Sequence, residues 1–480
     1  MSNAPFYNRY DDWITQKNIS EILSSEGAKL RLRGAVGSAK ALIANAVANQ
    51  MGSSHVFVLE DKEKAAYFLN DIENIQNYQK ESIEQKNILF FPRSARVPYQ
   101  LETVDNANVA MRAEVLNALR KKPQGQWIVT YPEALAEKVI GLLSLEQKTF
   151  EVEIGHRLNP EIVDEVFQEY NFHKVDFVYE PGQYAVRGGI IDVFSYSYDH
   201  PYRIELFGET IESIRKFDPV DQLSTGNMQR ATIVPNVQDE NQIDTTINFL
   251  EFVAPDSIFW AIECTNAPEI LEKELDKAHT QFQKLGGVIQ HKSPEDLYAH
   301  STDWYRLLKS RRLIEMGPTA LFIEAPAIEM QMTPQPSFSK NFDLLSQHII
   351  QKSKEDFDQV VTAGQAKQLE RLHQIFEDKQ IVVQYTPHLI ELSEGFVDNQ
   401  LQLALYTDHQ IFERYHRFRL KEGFQKSKEA LTLKEILSLQ PGDFVVHIDH
   451  GVGQFAGLQK IDVNGKEQEA IRLVYKGGDR

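Results

Sequence analysis

The chain has 480 residues, of which 42% are hydrophobic and 25% charged, and its formal net charge is −18 at pH 7. This length predicts about three domains, because a single hydrophobic core stops growing in chains much shorter than this one. The acidity argues against a surface that mainly wraps DNA, and the single cysteine, Cys264, excludes a disulfide framework and a cysteine-rich zinc site. Without a membrane-length apolar run or a secretory signal, we expect a cytoplasmic protein that does not contact membranes.

Residues 1–148 predict strands that alternate with helices. Lys29–Arg33 alternates as a strand, Ala39–Gln50 reads as an alanine-rich helix, and 56–59 as a short buried strand. The same texture returns over 231–344, where 258–262 and 321–324 are predicted to be buried strands. This alternation is typical of a parallel α/β sheet.

Residues 149–230 separate these two alternating segments. They are predicted to form a small inserted α+β domain of short strands and tight turns. A further α/β domain is predicted at 345–410 and a β domain at 441–480. Between them, 411–440 is a helical connector that carries a basic run from Arg414 to Lys428. The basic run is either a contact with DNA or a motor, or a solvated helix face.

The run 34–41 lies between a strand and a helix, where a phosphate-binding loop belongs. Gly34, Gly37 and Lys40 fit the pattern, but Ala39 and Ala41 replace a glycine and the hydroxyl residue that would coordinate Mg²⁺. A Cβ at position 39 obstructs the inward turn of the backbone N–H groups. We interpret the loop as a turn kept for packing; the alternative is weak nucleotide binding without hydrolysis.

Strand alternation over 202–207 predicts two faces with different chemistry. Tyr202, Ile204 and Leu206 form the core face, and Arg203, Glu205 and Phe207 form the other. An aromatic ring on a polar face gains little unless something covers it, and aromatic and arginine side chains are the usual anchors of protein interfaces. The alternative is that Phe207 packs under a loop and that Arg203 pairs with Glu205 or Glu212.

Two stretches in this region, 187–194 (RGGIIDVF) and 203–214 (RIELFGETIESI), closely resemble the bacterial transcription-repair coupling factor (Mfd) family, and more loosely the helicase UvrB. The degenerate loop at 34–41 resembles the amino-terminal module of that family, which is similar to UvrB without its ATPase motifs. Residues 442–458 are similar to the start of the family's RNA-polymerase interaction domain, a CarD-like β-barrel. The stretch from 408 through the basic run resembles the connector that precedes this barrel.

The resemblance implies a multidomain α/β fold: a UvrB-like sheet with a degenerate P-loop, the inserted domain, the further α/β domain and a partial CarD-like barrel. It implies that the inserted domain binds UvrA through Arg187, Arg203 and Phe207, with both arginines on neighbouring strands. It also implies that the barrel contacts the RNA polymerase β subunit by edge addition. Ile461 and Leu458 are the candidates for this contact; the alternative is that both belong to the barrel core.

For this chain the resemblance implies no catalytic residue, no metal and no cofactor. ATP, Mg²⁺ and most contacts with double-stranded DNA belong to a translocase motor that follows in the family. Because the family's barrel continues past the position of Arg480, we expect the chain to be an amino-terminal portion. Within the barrel, Asn464-Gly465 predicts a hairpin that joins 455–462 to 469–475.

Two other functions stay open. A UvrB-like helicase that binds damaged DNA is opposed by the alanines at 39 and 41. A CarD-like transcription regulator fused to an α/β domain predicts polymerase binding without UvrA binding.

Overall fold

A computed structural model of the chain describes residues 6–78, 88–95, 97–100, 106–198, 200–237, 245–285, 291–414, 442–447, 451–463 and 466–474. The chain divides into two compact units, Met1–Phe424 and Gln425–Arg480. In the described ranges no helix is both long enough and apolar enough to cross a bilayer.

The larger unit opens with strands and helices in alternation, as the sequence predicts. Its first elements are α1 (Asn8–Gln16), α2 (Ile19–Ile22), β1 (Lys29–Arg33), α3 (Ala39–Gln50), β2 (His55–Leu59), α4 (Lys62–Tyr78), β3 (Ile88–Phe91), α5 (Asn106–Lys121), β4 (Trp127–Thr130), α6 (Pro132–Ala136), β5 (Val139–Ile140) and α7 (Leu142–Gln147). The predicted bounds of β1 and α3 are confirmed. Most of α3 is buried, because its small alanine side chains allow close packing against α1 and α4.

The next stretch is a sheet with one helix. It comprises β6 (Phe150–Glu153), α8 (Pro160–Glu169), β7 (His173–Lys174), β8 (Gln183–Arg187), β9 (Ile190–Val193), β10 (Tyr202–Phe207), β11 (Thr210–Phe217), β12 (Ser224–Met228) and β13 (Arg230–Ile233). Six strands form one sheet in the order β12-β11-β10-β9-β8-β7. The first and last strands, β6 and β13, pair with each other, so the stretch ends close to where it began. We call the six strands the inserted sheet.

Beyond the inserted sheet the alternating pattern resumes. The elements are β14 (Thr246–Ile247), α9 (Phe249–Phe252), β15 (Ile258–Ile262), α10 (Ala267–Phe282), α11 (Pro294–Leu297), α12 (Ser301–Ser310), β16 (Arg312–Met316) and β17 (Ala327–Glu329). A seven-stranded sheet runs in the order β17-β1-β16-β15-β2-β4-β3, and all of its pairings are parallel. The predicted parallel α/β sheet is therefore confirmed. Its central strands β2 and β15 are buried at every position, as strands covered on both faces must be.

The predicted strand at 321–324 is wrong. These residues form bends and a turn, and the buried strand lies earlier, at β16. Glu315 at the end of β16 accepts hydrogen bonds from the backbone N–H groups of Leu321 (2.6 Å) and Phe322 (3.1 Å). A short apolar run has no periodicity that separates a strand from a packed turn.

A five-stranded sheet completes the larger unit. Its elements are β18 (Met332–Pro334), α13 (Phe342–Lys354), β19 (Asp358–Thr362), α14 (Ala366–Asp378), β20 (Thr386–His388), β21 (Phe396–Asp398), β22 (Leu403–Thr407) and α15 (Asp408–Ile411). The strand order is β18-β21-β22-β19-β20, so the sheet takes its first strand from residues before 345. We call this part the small α/β domain.

The second unit contains three antiparallel strands, β23 (Phe444–His447), β24 (Gly451–Val463) and β25 (Lys466–Val474). The predicted pairing of 455–462 with 469–475 is confirmed over the described residues, and Val463 lies opposite Lys466. The turn residues 464–465 and the basic connector from 415 to 441 lie outside the described residues. The predicted partial CarD-like barrel stays a prediction.

Candidate functional site

Phe207 lies at the end of β10, where a hairpin turns into β11. The pairing register shifts between Glu205 and Leu206, and Gly208 in the turn has a φ of +63°, which favours glycine. The Phe207 side chain is 79% exposed, so it does not pack under a loop. On the opposite face of the same strand, Tyr202 and Ile204 are buried, as alternation predicts.

Asp192 on β9 binds both candidate arginines. It is fully buried and accepts hydrogen bonds from Arg203 Nε (2.7 Å) and Nη2 (2.9 Å), and it also forms an ion pair with Arg187. The predicted arrangement of the arginines on neighbouring strands is wrong. Arg187 is on β8 and Arg203 on β10, with β9 between them, and Asp192 lies directly opposite Arg203 in the register.

Aromatic rings support both guanidinium groups. Arg203 lies 4.4 Å from the ring centre of Phe217, and Arg187 lies 5.4 Å from that of Phe177. The hydrogen bonds that Arg203 donates to Asp192 raise the pKa of Arg203 above its ordinary value. The Arg203 side chain is 18% exposed and that of Arg187 38%, so the cluster reaches the surface mainly through Arg187.

A second polar network lies beside this cluster. Glu205 accepts a hydrogen bond from Ser213 Oγ (2.7 Å) and forms an ion pair with Arg215. The predicted alternative in which Arg203 pairs with Glu205 or Glu212 is therefore wrong. Sequence reasoning missed Asp192, although the RGGIIDVF run contains it. The antiparallel register of β9 and β10 places it opposite Arg203, and strand alternation alone does not give that register.

These side chains form a surface suited to protein docking. Phe207 is four residues from Arg203 on one strand, a rise of about 13 Å, so ring and guanidinium can contact separate points of one partner. Phe177, which sequence reasoning also missed, is about half exposed beside Arg187. An exposed ring next to fixed arginines is the usual composition of an interface anchor. Within the described residues there is no cluster of three or more His, Cys, Asp or Glu side chains that could hold a metal.

The other two predicted sites are on other elements of the chain. Gly34 and Gly37, with φ of +87° and +54°, shape the turn between β1 and α3, and Lys40 Nζ pairs with Glu263 at 2.6 Å. Leu458 and Ile461 are on β24, opposite Ile471 and Gln468. Within the larger unit, Gly34, Gly37 and Lys40 are therefore not part of the arginine cluster.

Two family models match the chain. The UvrB interaction domain matches residues 150–238, a range that contains the whole inserted sheet, and the CarD-like/TRCF RID domain matches residues 439–480. These matches define a multidomain α/β protein that carries two interaction domains.

Matches to curated proteins extend over nearly the whole chain. The transcription-repair-coupling factor of Bacillus subtilis is 22% identical over 95% of this chain and 44% of its own length, and that of Myxococcus xanthus is 25% identical over the same shares. The factor of Borreliella burgdorferi is 21% identical over 77% of this chain and 35% of its own. The chain is thus a relative of the transcription-repair-coupling factors, and it spans less than half the length of those it matches.

Proposed function

We propose that this chain is the partner-recruiting part of a transcription-repair coupling factor. Its inserted sheet docks UvrA, and residues 439–480 contact the β subunit of RNA polymerase. A repair protein and a stalled polymerase would thereby be held on one chain.

The proposal for UvrA rests above all on the exposure of Phe207. The ring has 79% of its surface in solvent, on a sheet that matches the UvrB interaction domain. Burying an exposed ring at an interface gains hydrophobic free energy without disturbing the fold. Arg187 and Arg203 are fixed through Asp192 on the same sheet, and the Arg187 side chain remains 38% exposed as a donor.

Phe207→Ala tests this directly. We expect UvrA affinity to fall at least about fivefold, because truncating an interface anchor commonly costs 1 kcal/mol or more. Unfolding stability should change by less than about 0.5 kcal/mol, since the ring is exposed in the free chain. Titration of UvrA onto each variant, with urea unfolding in parallel, measures both quantities.

Leu143→Ala is the matched control, because Leu143 on α7 is 75% exposed and lies outside the inserted sheet. It should leave UvrA affinity unchanged. Equal affinities for UvrA in wild type, Phe207→Ala and Leu143→Ala would reject the docking surface.

For RNA polymerase, the three strands of the second unit support an edge-addition mode. In the described residues β23 and β25 each pair with β24 alone, so each presents a second edge, and Phe444 on β23 is largely exposed. Ile461→Arg should reduce binding of the polymerase β subunit and leave UvrA binding intact; Leu458→Arg is the second variant. Loss of both activities together would indicate misfolding and would not support a polymerase site.

We further propose that this chain has no ATPase of its own, and that ATP, Mg²⁺, translocation and most double-stranded DNA contacts belong to the part of the relatives beyond the match. Lys40 is held by Glu263, and Ala41 offers no oxygen for Mg²⁺. ATP turnover that Lys40→Ala abolishes would favour the UvrB-like helicase instead. Polymerase capture without UvrA capture would favour the CarD-like regulator. We also propose that the chain acts in the cytoplasm, which is compatible with binding of UvrA and of RNA polymerase.

A further inference from the structure

The loop at residues 34–38 is in direct contact with a segment of the small α/β domain, Ser393 to Gly395. The backbone N–H of Ser38 donates to the carbonyl oxygen of Glu394 at 3.0 Å, and the backbone N–H of Glu394 donates back to Ser38 Oγ at 3.0 Å. A Cβ added to Gly37 would lie 2.9 Å from the carbonyl oxygen of Gly395. The two backbones are therefore as close as a glycine allows.

Asp71 on α4 joins the loop to this segment. Its carboxylate, which is buried, accepts hydrogen bonds from Ser38 Oγ (2.6 Å), Ser393 N (2.7 Å) and Ser393 Oγ (2.7 Å). One acidic side chain thus binds Ser38, the residue that precedes α3, and two donors from the small α/β domain. Three hydrogen bonds on a buried carboxylate make a joint of fixed geometry.

The cations near the loop are also bound internally. Lys40 Nζ lies 2.6 Å from Glu263, and Lys64 Nζ lies 3.4 Å from Glu394. The cleft around them is lined by more carboxylates than ammonium groups: Glu60, Asp71, Glu263 and Glu394 against Lys40 and Lys64. An incoming phosphate would meet net negative charge, which opposes its binding.

The rest of the small α/β domain holds the segment from the other side. Gly395 N donates to Gln410 Oε1 at 2.8 Å, Gln335 N donates to Gly395 O at 3.1 Å, and His409 Nε2 lies 2.8 Å from the carbonyl oxygen of Ser393. A Cβ on Gly395 would lie 2.6 Å from the carbonyl oxygen of Leu405. Residues 393–395 are thus held in place by hydrogen bonds within their own domain.

We propose that the loop at 34–38 is a socket for residues 393–395 of the same chain, and that this segment and a nucleotide phosphate compete for it. In a phosphate loop, backbone N–H groups, a lysine and a hydroxyl residue surround oxygen acceptors of the ligand. Here the carbonyl oxygen of Glu394, the carboxylate of Glu263 and the carboxylate of Asp71 accept from Ser38 N, Lys40 and Ser38 Oγ. The socket ties the small α/β domain to the seven-stranded sheet, independently of any docking of UvrA.

Hydrogen exchange on the whole chain tests the socket. In Asp71→Ala we expect the amides of residues 393–395 and of Ser38 to exchange at least tenfold faster, with β22 of the small α/β domain unchanged. Asp71→Asn, which keeps the side-chain volume, should give a smaller change in the same amides. Glu63→Gln is the control, because Glu63 is an exposed acid two turns earlier on α4. Unchanged exchange at 393–395 in both Asp71 variants overturns the socket.

The competition is tested with Mg-ADP as the probe. The double variant Ala39→Gly/Ala41→Thr restores the phosphate-loop motif, and we expect Mg-ADP to leave the hydrogen exchange of residues 34–42 unchanged in it. When Asp71→Ala is added, Mg-ADP should slow the exchange of these amides. Two results would overturn the competition. One is that Mg-ADP slows hydrogen exchange at 34–42 while the amides of 393–395 stay protected from exchange; the other is that Mg-ADP slows no exchange at 34–42 even in the triple variant.

Discussion

The buried carboxylate of Asp192 gives the strongest single prediction for the inserted sheet. It accepts at 2.7 and 2.9 Å from Arg203 and pairs with Arg187, and it has no exposed surface. Removing one member of a buried ion pair costs about 3–5 kcal/mol. Both arginines retain some exposure and can turn partly to water, so we expect about 3 kcal/mol for Asp192→Asn, at the lower end.

Native-state hydrogen exchange of the β9 and β10 amides is the assay, because a loss of about 3 kcal/mol accelerates exchange roughly 100-fold where the sheet opens as a unit. The control is Glu205→Gln, since the Glu205–Arg215 pair on the same face is about one third exposed and should contribute about 1 kcal/mol or less. Asp192→Ala combined with Arg203→Ala should cost less than the sum of the two single changes. Equal exchange in Asp192→Asn and Glu205→Gln would refute the reasoning.

Three further predictions concern buried charged or ionisable groups. Burial raises the pKa of Asp71 to about 7, above its unfolded value of about 3.9, so the native state binds the proton more tightly and the stability this gives is lost as pH rises from 4 through 7. Urea midpoints should therefore fall less over that range in Asp71→Asn than in wild type; parallel slopes would contradict this. The charged and titratable groups that line the cleft with Asp71 or hold its neighbour Ser393 are Glu394, Glu263, Glu60, Lys40, Lys64, Tyr67 and His409. Arg112 is fully buried, donates to the carbonyls of Pro92, Ala134 and Glu137, and lies 3.4 Å from the Glu137 carboxylate. Arg112→Ala should cost about 3–5 kcal/mol in urea unfolding, and Arg112→Lys should not restore it, because one ammonium cannot reach three carbonyls; full stability of the lysine variant would refute this. Burial raises the pKa of Cys264 to about 12, so iodoacetamide at pH 8 should label it only after unfolding, and rapid labelling of the native chain would show that the thiol is accessible.

Part of the site could be predicted because strand alternation is local. The alternation of side chains along 202–207 was enough to place Phe207 and Arg203 on the face away from Tyr202 and Ile204. Alternation cannot say which acid an arginine meets, since that depends on the register between strands. The register of β9 and β10 therefore determines that Arg203 pairs with Asp192 and not with Glu205 or Glu212.

The amino-acid sequence by itself determined the strand, turn and helix at 29–50, the parallel α/β class and the absence of a glycine and a hydroxyl at 39 and 41. These follow from periodicity and residue chemistry within a few turns of chain. Only the tertiary structure decided what occupies the loop: Ser393 meets Asp71 across 322 residues, and Lys40 meets Glu263 across the parallel sheet. Contacts of that separation exist only when the chain is packed, because no local pattern encodes which distant carbonyl or carboxylate will take the place of a phosphate.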